Sequence, residues 1–352
     1  MANLRFLSDE GLTLRFRPFT FLKEVEDLRS GIYTFRERLE VLTKGREGTL
    51  YALPNVVLHT LPDSPVVAVG GRVVAVWAGS EREARDVFER GSYEGKEVPG
   101  YVVEDFWDLP HIVGKVLPLD VDMEVSGRRE EFFRHGEAYV HKSVSTRFVE
   151  IYGPGLIDSG ASVEPFTVLK GPFYVGKGSL IKSFSYITSS VIGPVCKVAG
   201  EISHTVFSSY SNKQHSGFIG HSYVGEWVNI GAGTEVSNLK NTYGKVKVYS
   251  YTEGKEVDTG LQFAGTFIGD HAKLGINTTV STGTVIGIFA NITAADSPTP
   301  KFVPDFYWTG GGRMRLDKAL EVARRVMARR NVVPTEYYLG LIRKAYSEVA
   351  GS

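Results

Sequence analysis

At 352 residues the chain is long enough for two domains and a large core. Forty basic residues balance forty acidic ones, so nothing suggests electrostatic capture of nucleic acid or an anionic membrane, and small anionic substrates remain open because local clusters can hide inside a neutral total. The single cysteine, Cys196, excludes an internal disulfide framework and a thiolate metal cluster. Residues 1–10 lack a signal-peptide core and no apolar run approaches ~20 residues, so a soluble cytoplasmic protein is expected.

Residues 1–145 read as a mixed α/β region. Tyr33, Leu39 and Leu42 among charged residues predict a short amphipathic helix over 30–42. Strand-like runs at 65–69 and 73–77 flank Gly70-Gly71, which is hairpin chemistry, and 81–90 reads as a helix.

Near Phe148 the period changes. Ile157, Val163, Leu169, Val175, Ile181 and Ile187 recur every sixth residue. So do Ile268, Leu274, Val280, Ile286 and Ile292, with Gly269, Gly275 and Gly287 behind three of them. Neither the helical period of 3.6 nor the strand period of 2 gives this pattern. A six-residue unit with one inward aliphatic is the hexapeptide β-helix signature, and three such units, about 18 residues, close one coil of a three-sided prism. Between the two runs the phase shifts, at Ile192-Gly193, Val198, Val206, Val224-Gly225, Ile230-Gly231 and Val236, as expected of loops ejected from the coil. The largest spans 238–265. After Pro298 and Pro300 the repeat ends, and 316–330 and 334–350 read as two helices that cap the last coil. The expected division is 1–145, 146–312 and 313–352.

The segment His215-Ser216-Gly217-Phe218-Ile219-Gly220 leads through Val224-Gly225-Glu226-Trp227-Val228-Asn229-Ile230-Gly231-Ala232-Gly233-Thr234 to Ser237-Asn238. Tyr210-Ser211-Asn212-Lys213 precedes it. Asn238-Leu239-Lys240-Asn241, Asp258-Thr259-Gly260-Leu261-Gln262-Phe263 and Lys301-Phe302-Val303-Pro304 follow. Together these motifs resemble the bifunctional N-acetylglucosamine-1-phosphate uridyltransferase/glucosamine-1-phosphate acetyltransferase family, most densely a divergent branch named for sugar nucleotidyltransfer. The resemblance is strong over 150–312. It is weak over 14–45, where Arg17-Pro18-Phe19-Thr20 and Asp27-Leu28-Arg29-Ser30-Gly31 echo the branch.

The resemblance implies a left-handed parallel β-helix that packs as a homotrimer behind a degenerate nucleotidyltransferase-like domain. It implies acetyl transfer from acetyl-coenzyme A to the amine of an amino sugar 1-phosphate or a nucleotide-linked amino sugar. His215 is then the general base, a task that suits an imidazole with an ordinary pKa of ~6.5. Asn229 and Asn238 contact substrate, Ala232 and Ala294 offer backbone groups to coenzyme A, and Lys182 and Lys245 stand for phosphate and sugar contacts. Ser203 replaces a phosphate-binding lysine of the family, for which Lys213 is the neighbouring substitute. Ile276 replaces a serine near the thioester.

The N-terminal region departs further. A nucleotidyltransferase of this family cradles its triphosphate with a Gly-rich loop after the first strand, whereas residues 4–19 contain one glycine, Gly11. Asp120 and Asp122 could hold Mg²⁺ beside a nucleotide, needed only if nucleotidyl transfer is retained; two solvated acids at a strand end is the stronger expectation. Sugar-1-phosphate nucleotidyl transfer and a catalytically silent scaffold are the alternatives to acetyl transfer. A zinc site of the γ-carbonic anhydrase kind, from His204, His215 and His221, lacks the coil spacing it needs.

Overall fold

A computed structural model describes residues 2–91, 94–293 and 298–351. The six-residue register becomes a parallel β-solenoid of about 9 turns. One face, here the open face, stacks Glu150–Tyr152, Val168–Lys170, Tyr186–Thr188, Glu201–Ser203 and Phe218–Gly220. The docked face runs from Ala138–His141 through Gly155–Ile157 to Phe302–Val303, and the third face from Ser162–Val163 through Asn229–Ile230 to Asn291–Ile292. All eleven aliphatics of the two hexad runs lie buried in one core along the prism axis. The strand Ala138–His141 already pairs in parallel with Gly155–Ile157, so the expected 145/146 boundary falls inside the first coil.

Coil length explains the phase shifts. Register partners are eighteen residues apart at Glu150↔Val168 and Val168↔Tyr186, fifteen at Tyr186↔Glu201 and seventeen at Glu201↔Phe218. The first slip is thus a shortened coil and not an ejected loop, contrary to the sequence reading. Its third-to-open corner holds only Ala199 and Gly200, where the coil before spends Lys182 through Ser185. The later slip is the ejected loop: Tyr223 pairs with Phe267, forty-four residues on. Within that loop Lys247–Ser250 and Lys255–Asp258 form an antiparallel hairpin.

Each coil turns its corners through left-handed residues, many of them bulky. Phe148, Phe166 and Phe184 (φ 61°, 65° and 61°) occupy one corner, and Tyr210, Trp227, His271, Phe289 and Phe306 another. Left-handed backbone costs roughly 1–2 kcal/mol per non-glycine residue, and ring stacking between coils offsets it. Tyr210 lies on Trp227 at 4.1 Å, and Phe166 on Phe184 at 5.4 Å.

The N-terminal region forms a five-stranded sheet in the order Asn3–Phe6, Thr49–Ala52, Arg72–Trp77, Val66–Val69, Lys96–Glu97. The hairpin expected around Gly70-Gly71 is present, both glycines at positive φ. Four helices accompany the sheet: α1 (Glu10–Arg15), α2 (Phe35–Leu42), α3 (Glu81–Arg90) and α4 (Leu109–Ser126). Helix α3 matches its expected span because Ser80 caps it and Gly91 ends it in the left-handed region. Helix α2 starts five residues later than expected. A Thr34–Glu37 capping box fixes its first turn, and Ser30 is tied to Tyr33 in a preceding turn.

This region is docked on the solenoid. Leu156, Tyr174, Val191, Val206, Tyr223, Phe267 and Val285, pointing outward from the docked face, share one buried core with Phe16, Phe19, Phe106, Trp107, Val113 and Val116. Each such side chain contributes on the order of 2 kcal/mol. Phe19 meets Tyr223 edge-on at 4.6 Å, and the Arg29 N–H donates to the Tyr223 hydroxyl at 3.0 Å. The weak N-terminal echo is therefore a docking segment. At the far end α5 (Leu316–Ala328) and α6 (Glu336–Gly351) pack on Ile288, Phe289, Phe306 and Met314, the helical cap that was expected. Among the described residues no helix is long and apolar enough to cross a membrane.

Asp120 and Asp122 lie within α4, not at a strand end, and point to opposite sides. Asp122 is exposed, while Asp120 is fully buried, paired through both oxygens with the equally buried Arg38 and accepting from the Ile32 N–H at 2.8 Å. That carboxylate is spent, so the pair does not fit Mg²⁺. Removing one partner of a fully buried ion pair strands the other. Asp120→Ala is expected to lower the unfolding free energy by about 3–5 kcal/mol, measured by chemical denaturation. A loss below about 1 kcal/mol, the range of a solvated pair, would contradict the buried geometry.

Candidate functional site

Among the described residues, the expected site residues fall into two groups on either side of the open face, plus one inside the prism. His215 and Ala232 occupy successive coils of the third-to-open corner: the Gly233 N–H donates to Ser216 O at 3.2 Å, which seats Ala232 directly on the His215 turn. His215 is exposed. The Ala232 carbonyl accepts from the Asn277 N–H at 2.7 Å, while the Ala232 N–H has no partner among the described residues. Asn229 is exposed around the corner on the third face, in register with Asn212 and Lys273. Lys182 lies on the same corner, two coils below His215. Ile276, one coil above Ala232, is 63% exposed. Ala294 lies outside the described residues.

Lys213 is placed otherwise than expected. By register it points inward, in the column of Ile181, Val198 and Leu274, and is 1% exposed. Its ammonium donates to the carbonyls of Ala199 (3.1 Å), His215 (3.1 Å) and Gly217 (2.7 Å). Three donors meet three acceptors, which satisfies the group completely, so Lys213 fastens the His215 turn and does not reach a phosphate. Burial pushes its amine down to about 8. The two-residue corner below makes the room: a Cβ on Gly200 would stand 3.0 Å from the Lys213 Nζ and 2.7 Å from Gly217 O. The full-width His215 corner thus overhangs a shortened one, with the lysine filling the notch.

Asn238 and Lys245 belong to the opposite, open-to-docked corner, across a three-residue strand that spans about 10 Å. Between the corners the floor carries Ser203, Phe218, Gly220, Glu235 and Ser237, with Glu235 accepting from the Phe218 N–H at 2.7 Å. Asn238 closes the base of the ejected loop, its carbonyl accepting from the Ala264 N–H at 3.0 Å. Nearby Ser237, Lys240, Asn241, Thr242, Ser281 and Thr282 line a cleft of about 320 Å³, hydroxyl-rich and suited to a polyol. Lys245 is exposed, its carbonyl held by the Lys240 ammonium.

A histidine cluster beside Asn238 was not anticipated as a unit. His221 lies on His204 with centroids 4.6 Å apart and planes 4° apart, and His111 of α4 approaches to 5.4 Å. Burial pushes all three imidazoles down. His204 bonds Ser203 Oγ at 2.8 Å, so this serine is anchored on the floor. His215 sits across the open face from His204 and His221, and among the described residues no group of three or more His, Cys, Asp or Glu side chains is placed to hold a metal ion. The seventeen-residue spacing of His204, His221 and Asn238 marks them as one column, a signal present in the sequence.

Comparisons with known proteins agree in part with the resemblance. No protein-family model matches the chain. A bifunctional sugar-1-phosphate nucleotidylyltransferase/acetyltransferase from Sulfurisphaera tokodaii is 38% identical over 92 residues, 26% of this chain and 22% of that one. A bifunctional protein GlmU from Thermotoga petrophila is 31% identical over 160 residues, 46% of this chain and 28% of that one. The chain thus spans less than a third of the length of these curated relatives. Among solved structures, a variant of AntD, an N-acyltransferase from Bacillus cereus in complex with dTDP and coenzyme A, overlaps 57% of this chain and 96% of that chain at a TM-score of 0.23 and 12% identity, too loosely to carry an argument.

Lys213→Met tests the anchoring. Methionine fits an aliphatic column, so the melting temperature is expected to stay within about 5 °C. Hydrogen exchange at the Glu201 and Gly233 amides, which bond the Gly217 and Ser216 carbonyls, should accelerate at least about tenfold. Unchanged exchange would show that the turn holds itself.

Proposed function

We propose that the chain is an acetyl-coenzyme A-dependent N-acetyltransferase acting on an amino sugar 1-phosphate or a nucleotide-linked amino sugar. The observation that supports this most is the His215 turn: an exposed imidazole on an anchored corner, with the unpartnered Ala232 N–H seated on it. His215 accepts the amine proton as nitrogen attacks the thioester carbon. The Ala232 N–H steadies the oxyanion, and collapse breaks the C–S bond, the thiolate taking the proton back from the imidazolium. Asn238 and Asn229 orient the sugar from the two edges of the site, with Lys182 and Lys245 as the phosphate and sugar cations. The ladder of Phe148, Phe166 and Phe184, each more than half exposed along the His215 corner, supports assembly as a homotrimer that buries it.

Nucleotidyl transfer, part of the Sulfurisphaera relative's name, has little support here. Residues 4–19 hold one glycine, and Asp120 is committed to Arg38. Thiol release from acetyl-coenzyme A, measured across amino sugar 1-phosphates and nucleotide-linked amino sugars, is expected to identify an acceptor. His215→Ala should cut turnover ~10²–10⁴-fold. Near-unchanged turnover would remove His215 from the mechanism, and silence of the folded wild type across the panel would favour a scaffold. Pyrophosphate release from a nucleoside triphosphate and a sugar 1-phosphate would restore the nucleotidyl reading.

A further inference from the structure

His221 sits in the left-handed region (φ 47°) one coil below Asn238, and its Nδ1 lies 2.8 Å from the Asn238 Nδ2. Its ring is gripped from three sides: by His204 of the coil below, by Phe263 at 5.1 Å from the ejected loop, and by His111 from α4. Gly220, its neighbour, leaves the amide its place, since a Cβ there would stand 2.5 Å from Asn238 Nδ2.

A carboxamide offers a carbonyl acceptor at one end and two N–H donors at the other, so the end that faces a ligand depends on what holds the opposite end. Nδ2 donates at every pH; its partner Nδ1 must therefore be unprotonated. The titratable groups that face His221 are His204 and His111, while the ejected loop contributes the uncharged Phe263 and Asn238. Burial and the two neighbouring imidazoles push His221 down to about 3, which keeps it neutral at pH 7 and at pH 5.

We infer that His221 is a positioning residue: by accepting from the Asn238 amide nitrogen it turns the Asn238 Oδ1 toward the open face, so the sugar meets a hydrogen-bond acceptor suited to a hydroxyl or amine N–H. This rests on the reading of Asn238 as a sugar contact. A proton on Nδ1 would set donor against donor, and the amide would have to rotate half a turn and present its N–H groups instead.

Two independent readouts test it. In ¹⁵N-histidine-labelled protein, nitrogen NMR is expected to show His221 Nδ1 unprotonated at pH 7 and still so at pH 5. A proton on Nδ1 at pH 7 would overturn the inference whether or not acetyl transfer is found. With the acceptor from the thiol-release panel, His221→Leu should raise the acceptor KM about tenfold, with kcat and the acetyl-coenzyme A KM within about twofold. His221→Asn keeps a side-chain carbonyl and tolerates left-handed backbone, and should return the KM to within about threefold of wild type. An unchanged acceptor KM in folded His221→Leu, or no rescue by asparagine, would overturn the positioning role. A wild type silent across the panel would count against acetyl transfer alone, because the nitrogen spectrum stands without it.

Discussion

Coil-on-coil stacking governs this molecule. Once one inward aliphatic per hexad fixes the axis, every outward residue lies over its counterpart in the coil below, about 4.8 Å away. Side chains therefore act in columns, and a column tolerates only what its neighbours tolerate. The left-handed corners follow from the same constraint, because three turns per coil must return the backbone to one register. Bulky rings at those corners are held by the ring below and steady the one above.

Chemistry becomes possible where stacking is imperfect. The corner at Ala199-Gly200 is short, so the His215 turn overhangs it, and a lysine replaces the aliphatic that would otherwise fill the column. Across the open face the coil is interrupted instead of shortened, and Asn238 marks where the ejected loop leaves. Two different defects, a deletion and an insertion, thus flank one strand-width of floor. The larger cavity of about 800 Å³ at the strand ends of the N-terminal sheet, lined by Arg46, Trp77 and Glu83, shares no lining residue with either.

The solenoid was legible because its period is unlike any other: all eleven hexad aliphatics read from the sequence point into the core. Helix α3 was legible from Ser80 and Gly91. Helix α4 was not, since Pro110, Gly114 and Pro118 interrupt its pattern and its apolar residues answer to a distant partner, the docked face. For the same reason Asp120 looked like a solvated acid; nothing local announces Arg38, eighty-two residues away. Lys213 misled in the opposite way. Lysine is so seldom buried that an inward register position reads as an exposed charge until its three carbonyls are seen. The seventeen-residue spacing of His204 and His221 stands in the sequence, but nothing local announces that their rings stack or that the Asn238 amide meets them.

The docking of the N-terminal region has a consequence for how the chain comes into being. Phe16 and Phe19 are made early, yet their partners Tyr223 and Phe267 follow some two hundred to two hundred and fifty residues later. At ribosomal rates of 5–20 residues per second, those rings wait roughly 10–50 s for the surface that shelters them. Throughout that interval the growing chain carries an unmatched aromatic patch, and its exposure is longest where translation is slowest. The docking that shelters these rings in the finished fold therefore depends on protection while the chain is being made.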